Sequence, residues 1–63
     1  MAQEELLTEA QLAERYGKKP ETVRDWRKRR RGPDFFKAGD TVMYRMLDVL
    51  SWEAEQVKLA KSA

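Results

Sequence analysis

The chain has 63 residues, a formal net charge of +2, 38% charged residues, and neither cysteine nor histidine. A chain of that length makes one small domain and buries only about 60% of the surface its unfolded form exposes. The missing residue types exclude disulfide staples, the common zinc sites, and Cys–His or Ser–His–Asp catalysis.

Other classes fall on related grounds. No run approaches the roughly 20 apolar residues of a membrane helix. The acidic start MAQEELL is unlike a secretory signal. Acids and bases are present, but so short a chain does not easily build a concave site around them. The expectation is a cytoplasmic protein that is not an enzyme and needs no cofactor, metal or membrane.

The charge is unevenly spread. Residues 15–31 carry nine Lys/Arg against Glu21 and Asp25, a net +7, and the remaining residues sum to −5. Concentrated like charge costs self-repulsion unless a polyanion uses it, so a polyanion such as nucleic acid is the expected partner.

In chain order, Met1 to Leu7 reads as a tail ending in Leu6-Leu7. Thr8 and Gln11 have capping-box spacing, with Leu7 and Leu12 at the positions of a hydrophobic staple. A first helix then runs to about Tyr16, with Leu12, Ala13 and Tyr16 as its apolar stripe, and Gly17 ends it. After Lys18-Lys19, Pro20 suits the first position of a second helix, which is predicted to run over PETVRDWRKRRR, residues 20–31. Gly32-Pro33 stops it. Val23 and Trp26 share one side of this helix, flanked by Thr22 and Arg30. Glu21, Arg24, Asp25 and Lys28 share the other. Trp26 therefore belongs to the core rather than to a base-stacking surface.

Phe35–Lys37 and Thr41–Arg45 are predicted strands joined by a two-residue turn at Gly39-Asp40, with Val42 and Tyr44 on the inward face. A lone two-stranded hairpin is unstable and must lean on the helices. Met46–Lys61 is a third helix with no good N-cap, although Asp48 favours its first turn. Val49, Trp52, Gln56 and Leu59 form one seam; Leu50, Ala54, Val57 and Lys61 form another. The first is assigned to the core. The domain spans residues 6–61, with 1–5 and 62–63 as flexible tails.

The elements LLT, LAERYG, P-x-TV-x-x-W, RxGP, F-x-K-x-G…V-x-YR and D-x-x-x-W occur in this order over residues 6–55. Together they resemble the MerR-like excisionase family, which includes phage and plasmid excisionases and AlpA-type prophage regulators. The resemblance implies a mainly α fold with a small β-hairpin: a winged helix-turn-helix that lays its second helix in the major groove and its wing near the minor groove. It further implies an excisionase, or recombination directionality factor, of a mobile element. Such a protein works with an integrase or recombinase and self-associates cooperatively on DNA. A small transcriptional regulator of the same fold is the alternative, and a packaging or replication adaptor a more distant one. The chain departs from the family at Lys18-Lys19, where Val-Ser is common, at Leu47, where a small polar cap is common, and at Asp40, Thr41 and Met43, where the wing is commonly Arg-rich.

Base edges carry sequence information and phosphates carry affinity. Glu21, Thr22, Arg24, Asp25 and Lys28 are the expected base contacts. Arg24 and Lys28 suit guanine, Glu21 or Asp25 suits the cytosine amine, and Thr22 suits a thymine methyl. The expected phosphate contacts are Lys18, Lys19, Arg27, Arg29, Arg30 and Arg31, with Lys37 and Thr41 on the wing.

Overall fold

The computed structural model describes residues 5–62. Its elements are β1 (Leu6–Thr8), α1 (Glu9–Arg15), α2 (Pro20–Lys28), β2 (Phe36–Ala38), β3 (Thr41–Arg45) and α3 (Met46–Ser62). The fold is mainly helical, with one small antiparallel sheet of strand order β1-β3-β2.

The sheet has three strands where the sequence predicts two. The Leu6-Leu7 stretch, expected as the end of a tail, pairs instead with β3, placing Leu7 opposite Tyr44 and Thr8 opposite Met43. This pairing turns Leu7 toward the core cluster and gives the hairpin the support a two-stranded ribbon lacks. Residues 1–4 of the expected tail lie outside the described residues, as does residue 63, while Ser62 ends α3.

The ladder also answers the missing cap of α3. The backbone N–H of Met46 donates to the carbonyl of Glu5 at 2.8 Å. One of the unpaired donors at the start of α3 is thus satisfied by extending the sheet rather than by a side chain.

On the other side of β3, Ala38 pairs with Thr41 across Gly39-Asp40. Gly39 has φ +68° and Asp40 is not in the left-handed region, as a two-residue hairpin with Gly first requires. Phe35 falls just outside β2; it packs on Tyr44 with ring centroids 6.3 Å apart.

The capping box forms as predicted. The Thr8 N–H donates to Gln11 Oε1 at 2.9 Å, and the Gln11 N–H donates to Thr8 Oγ1 at 3.1 Å. Lys19 occupies the N-cap of α2 and makes no side-chain cap, because an ammonium cannot accept from N–H groups.

Leu12, Ala13, Val23, Tyr44 and Val49 are fully buried, with Leu7, Tyr16, Trp26, Val42 and Met46 packed around them. Each of α1, α2, β3 and α3 supplies at least one of the five. Of the first seam of α3, Val49 lies in the core and half-buried Trp52 packs on Tyr16 and Trp26; from Ala54 to Lys61 the helix is exposed, Gln56 and Leu59 included.

α2 is shorter than predicted. It ends at Lys28 with Arg29 as its C-cap. Arg30 then takes φ +56°, its N–H donates to the Arg27 carbonyl at 3.2 Å, and the Arg31 N–H donates to the Trp26 carbonyl at 2.8 Å. These two bonds close the helix in the paired pattern that usually places glycine in the left-handed position. Arg30 and Arg31 therefore belong to the turn and not to the helix.

Candidate nucleic-acid interface

Closing α2 at Lys28 leaves a short helix with one face on the core and one in solvent. Val23 is buried and Trp26 half-buried on the inner side; Glu21, Arg24, Asp25 and Lys28 are all exposed on the outer side. Thr22 is half-buried at the flank. Lys18 and Lys19 lie exposed in the connection before α2, and Arg29, Arg30 and Arg31 lie exposed just after it. The structure thus gathers the helical candidates and the two flanking basic runs along one element.

Lys37 and Thr41 stand apart from that element, in the β2–β3 hairpin. Both are exposed. Lys37 is the hairpin's cation short of Arg45, and its turn carries Asp40.

Arg27 is placed differently from its neighbours. Its Nε donates to Glu9 Oε2 at 2.9 Å, and its guanidinium carbon sits 5.4 Å from the centroid of the Phe35 ring. Only 20% of the side chain is exposed, against 53% for Arg24, whose Nε lies 3.7 Å from Glu9 Oε1. Glu9 therefore holds Arg27 against the body of the domain and leaves most of Arg24 in solvent. Sequence reasoning did not single out Glu9 or Phe35. Each is distant in sequence from Arg27, and neither spacing nor periodicity links them.

Asp25 pairs with Arg29 one turn on, at 3.2 Å. Such exposed pairs contribute little stability, but this one fixes the direction of a guanidinium at the helix end.

Both helix ends are tied to α3. The Arg15 guanidinium forks onto Glu53, with Nε to Oε2 at 2.7 Å and Nη2 to Oε1 at 2.9 Å, and the Tyr16 hydroxyl donates to Glu53 Oε2 at 2.6 Å. Those bonds from Arg15 and then Tyr16 hold the Glu53 carboxyl down at about 2. Tyr16 is pushed well above the ordinary phenol range, first by burial and then by its bond to Glu53. Burial, followed by the charge of Glu9, also raises Tyr44. At the other end, Trp52 Nε1 donates to the Arg31 carbonyl at 3.0 Å. Tyr16, Trp26 and Trp52, one from each helix end or seam, form a ring of three aromatics with centroids 5.6–5.8 Å apart.

No family model, curated protein or solved structure matches the chain. Among the described residues, no acidic cluster is arranged to hold a metal ion. None of their helices is long and apolar enough to cross a membrane.

Proposed function

We propose that the chain is a winged helix-turn-helix protein that binds double-stranded DNA, with α2 in the major groove and the β2–β3 hairpin as a short wing. Its biological role is that of an excisionase acting with an integrase or recombinase on a mobile element. The observation that carries this reading is the outer face of α2. Arg24 stands in solvent at its middle and Lys28 at its last position, and the backbone turns sharply just beyond, which supports Arg29–Arg31 as the residues that pass the phosphates where the helix leaves the groove. Arg24 and Lys28 supply donors for base edges; Lys18, Lys19 and Arg29–Arg31 supply phosphate charge. Arg27, turned onto Glu9 and Phe35, orients the helix more than it reaches the ligand. A wing poor in cations gives the hairpin a minor share of the affinity.

Salt titration tests the interface. Neutralising about four to six phosphates gives a slope of log K against log salt of roughly −4 to −5, and a flat response overturns the assignment. Arg24→Ala separates base reading from charge: it should cost about 1–3 kcal/mol on the preferred site and less on a scrambled duplex. Equal losses on both would exclude base readout by Arg24. Footprinting on DNA flanking the gene, with and without a neighbouring integrase, distinguishes excision from transcriptional regulation.

A further inference from the structure

The turn after α2 borders a cleft whose arginines the duplex reading shares but whose two indoles it leaves unused. It is open to solvent, has a volume of about 730 Å³, and lies between the end of α2 and the middle of α3. Trp26 and Trp52 line it together with Gly32 and the exposed Arg29, Arg30 and Arg31. Asp25 and Gln56 complete the lining. We infer that this cleft takes one unpaired nucleotide at the border of the bound duplex, its base lying on the two indoles and its phosphate on the arginine turn.

Four observations carry the inference, which rests on the duplex reading for the position of the DNA. First, both half-buried indoles line the cleft, packed on each other with centroids 5.6 Å apart and rings inclined at 37°. A flat aromatic ligand stacks on such a surface whatever its sequence. Secondly, the polar atom of Trp52 is already satisfied by the Arg31 carbonyl, which fixes the ring without using its face. Thirdly, three consecutive guanidiniums edge the cleft, and the guanidinium fork matches phosphate oxygens in pairs. Fourthly, Arg30 sits in the left-handed region where glycine is the unstrained choice. Strain held at one point of a cleft is a pointer to use, and here it directs a side chain to the cleft edge that glycine would lack.

The side groups sharpen the ligand. Asp25 offers an acceptor to an exocyclic amine, and Gln56 offers both donor and acceptor. The Asp25 charge, next to Arg29, keeps the phosphate at the Arg30–Arg31 end. An acidic peptide would satisfy the arginines, but it would meet Asp25 unfavourably and gain less from two indoles than a base does. The volume falls within the range of small-ligand clefts.

The chain's two tryptophans are the two that line the cleft, so intrinsic fluorescence reports on it directly. The test compares a blunt duplex with the same duplex carrying a short single-stranded extension. The extension should tighten binding about tenfold, within the range for stacking one base, and should quench the indole emission that the blunt duplex leaves unchanged. Gln56→Asp, an exposed position outside the duplex contact, should abolish both effects and leave blunt-duplex affinity intact.

Blunt duplex that binds with steep salt dependence, but gains nothing from the extension, overturns the cleft assignment and leaves the duplex reading standing. Blunt duplex that does not bind overturns the duplex reading itself. An acidic phenylalanine-containing peptide that displaces the extension more effectively than a mononucleotide assigns the cleft to protein and overturns the inference.

Discussion

The ends of α1 and α2 close in the same way with different residues. At α1, the Gly17 N–H donates to the Glu14 carbonyl and the Lys18 N–H to the Ala13 carbonyl; at α2, Arg30 and Arg31 donate to Arg27 and Trp26 in the same pattern. Gly17 and Arg30 both lie in the left-handed region, at φ +65° and +56°. Glycine adopts that conformation without steric penalty, whereas a side chain carries about 1–2 kcal/mol of strain there. The first end is thus built for stability. The second gives some stability up and places a cation where the chain leaves the helix. The ties to α3 differ as well: the first is ionic, through Glu53, and the second is an uncharged N–H bond from Trp52.

The largest way to break the comparison is at the packing beneath the second end. Trp26→Ala removes the ring that touches Tyr16 and Trp52 and against which Gly32 lies, its position for a Cβ only 3.3 Å from Trp26 Cβ. It should cost about 3 kcal/mol or somewhat more, the lower part of the range for a buried aromatic because Trp26 is half-buried. Thermal melting followed by circular dichroism should show a largely unfolded domain at 37 °C. A melt close to wild type, with binding of blunt duplex lost, would place Trp26 in the duplex interface rather than in the packing beneath the turn.

Exchanging the residues at the two ends comes next. A Cβ at Gly17 would meet nothing within 4 Å, so Gly17→Arg tests the backbone alone and should cost about 1–2 kcal/mol in urea unfolding. No loss there would show that the left-handed position is not strained. Arg30→Gly should do the opposite, raising stability by about 1 kcal/mol. It should also weaken duplex binding on all sequences nearly alike and make the salt slope shallower by about one unit. A variant that is more stable and binds DNA as before would remove Arg30 from the interface.

The smallest effect separates the two ties by pH. Glu53 titrates at about 2 in the folded chain against an ordinary 4.5, so its folded value is depressed. The stability it contributes is present above about pH 4.5 and is lost as pH falls toward 2. Glu53→Gln should therefore flatten the acid side of the stability profile between those values and leave the tie from Trp52 unaffected. An unchanged acid slope in the variant would show that the Arg15–Glu53–Tyr16 group does not hold α1 to α3.

What was legible in the sequence was local. The Thr8–Gln11 box, the Gly17 stop, the Gly39-Asp40 turn and the burial of Val23, Tyr44 and Val49 all follow from spacings of a few residues. The elements that escaped depend on distant partners or on a competing local rule. β1 is three residues long, too short to show alternation, and it exists only because Tyr44 and Met43 arrive opposite it. The end of α2 departs from the sequence pattern because Lys and Arg are favourable near a helix C-terminus and Gly32-Pro33 offers an obvious stop two residues beyond Arg30. Only Arg30 adopting a left-handed backbone ends the helix earlier, and nothing in an arginine announces that. Glu9 and Glu53 gave no signal either. Each sits at the unremarkable position of an acid on a helix, and its meaning comes from a cation delivered by another element. The candidate interface was more legible than the fold around it, because charge density along α2 is a local property. The one basic residue turned away from solvent, Arg27, was not distinguishable from its neighbours.

The pairing of β1 with β3 also bears on the order in which the chain can assemble. α1, α2 and the turn between them are complete within the first half of the sequence, and the β2–β3 hairpin closes locally. β1, by contrast, has no partner until the strand ending at Arg45 has been made, and the Met46 N–H has no acceptor until Glu5 returns to it. On a ribosome, the two helices therefore emerge without the strand that covers Leu7. Pairing β1 with β3 joins segments far apart along the chain, a closure whose entropy cost grows with the intervening length. Nascent chains halted before Tyr44 should remain sensitive to protease, and protection should appear abruptly once the start of α3 has cleared the exit tunnel.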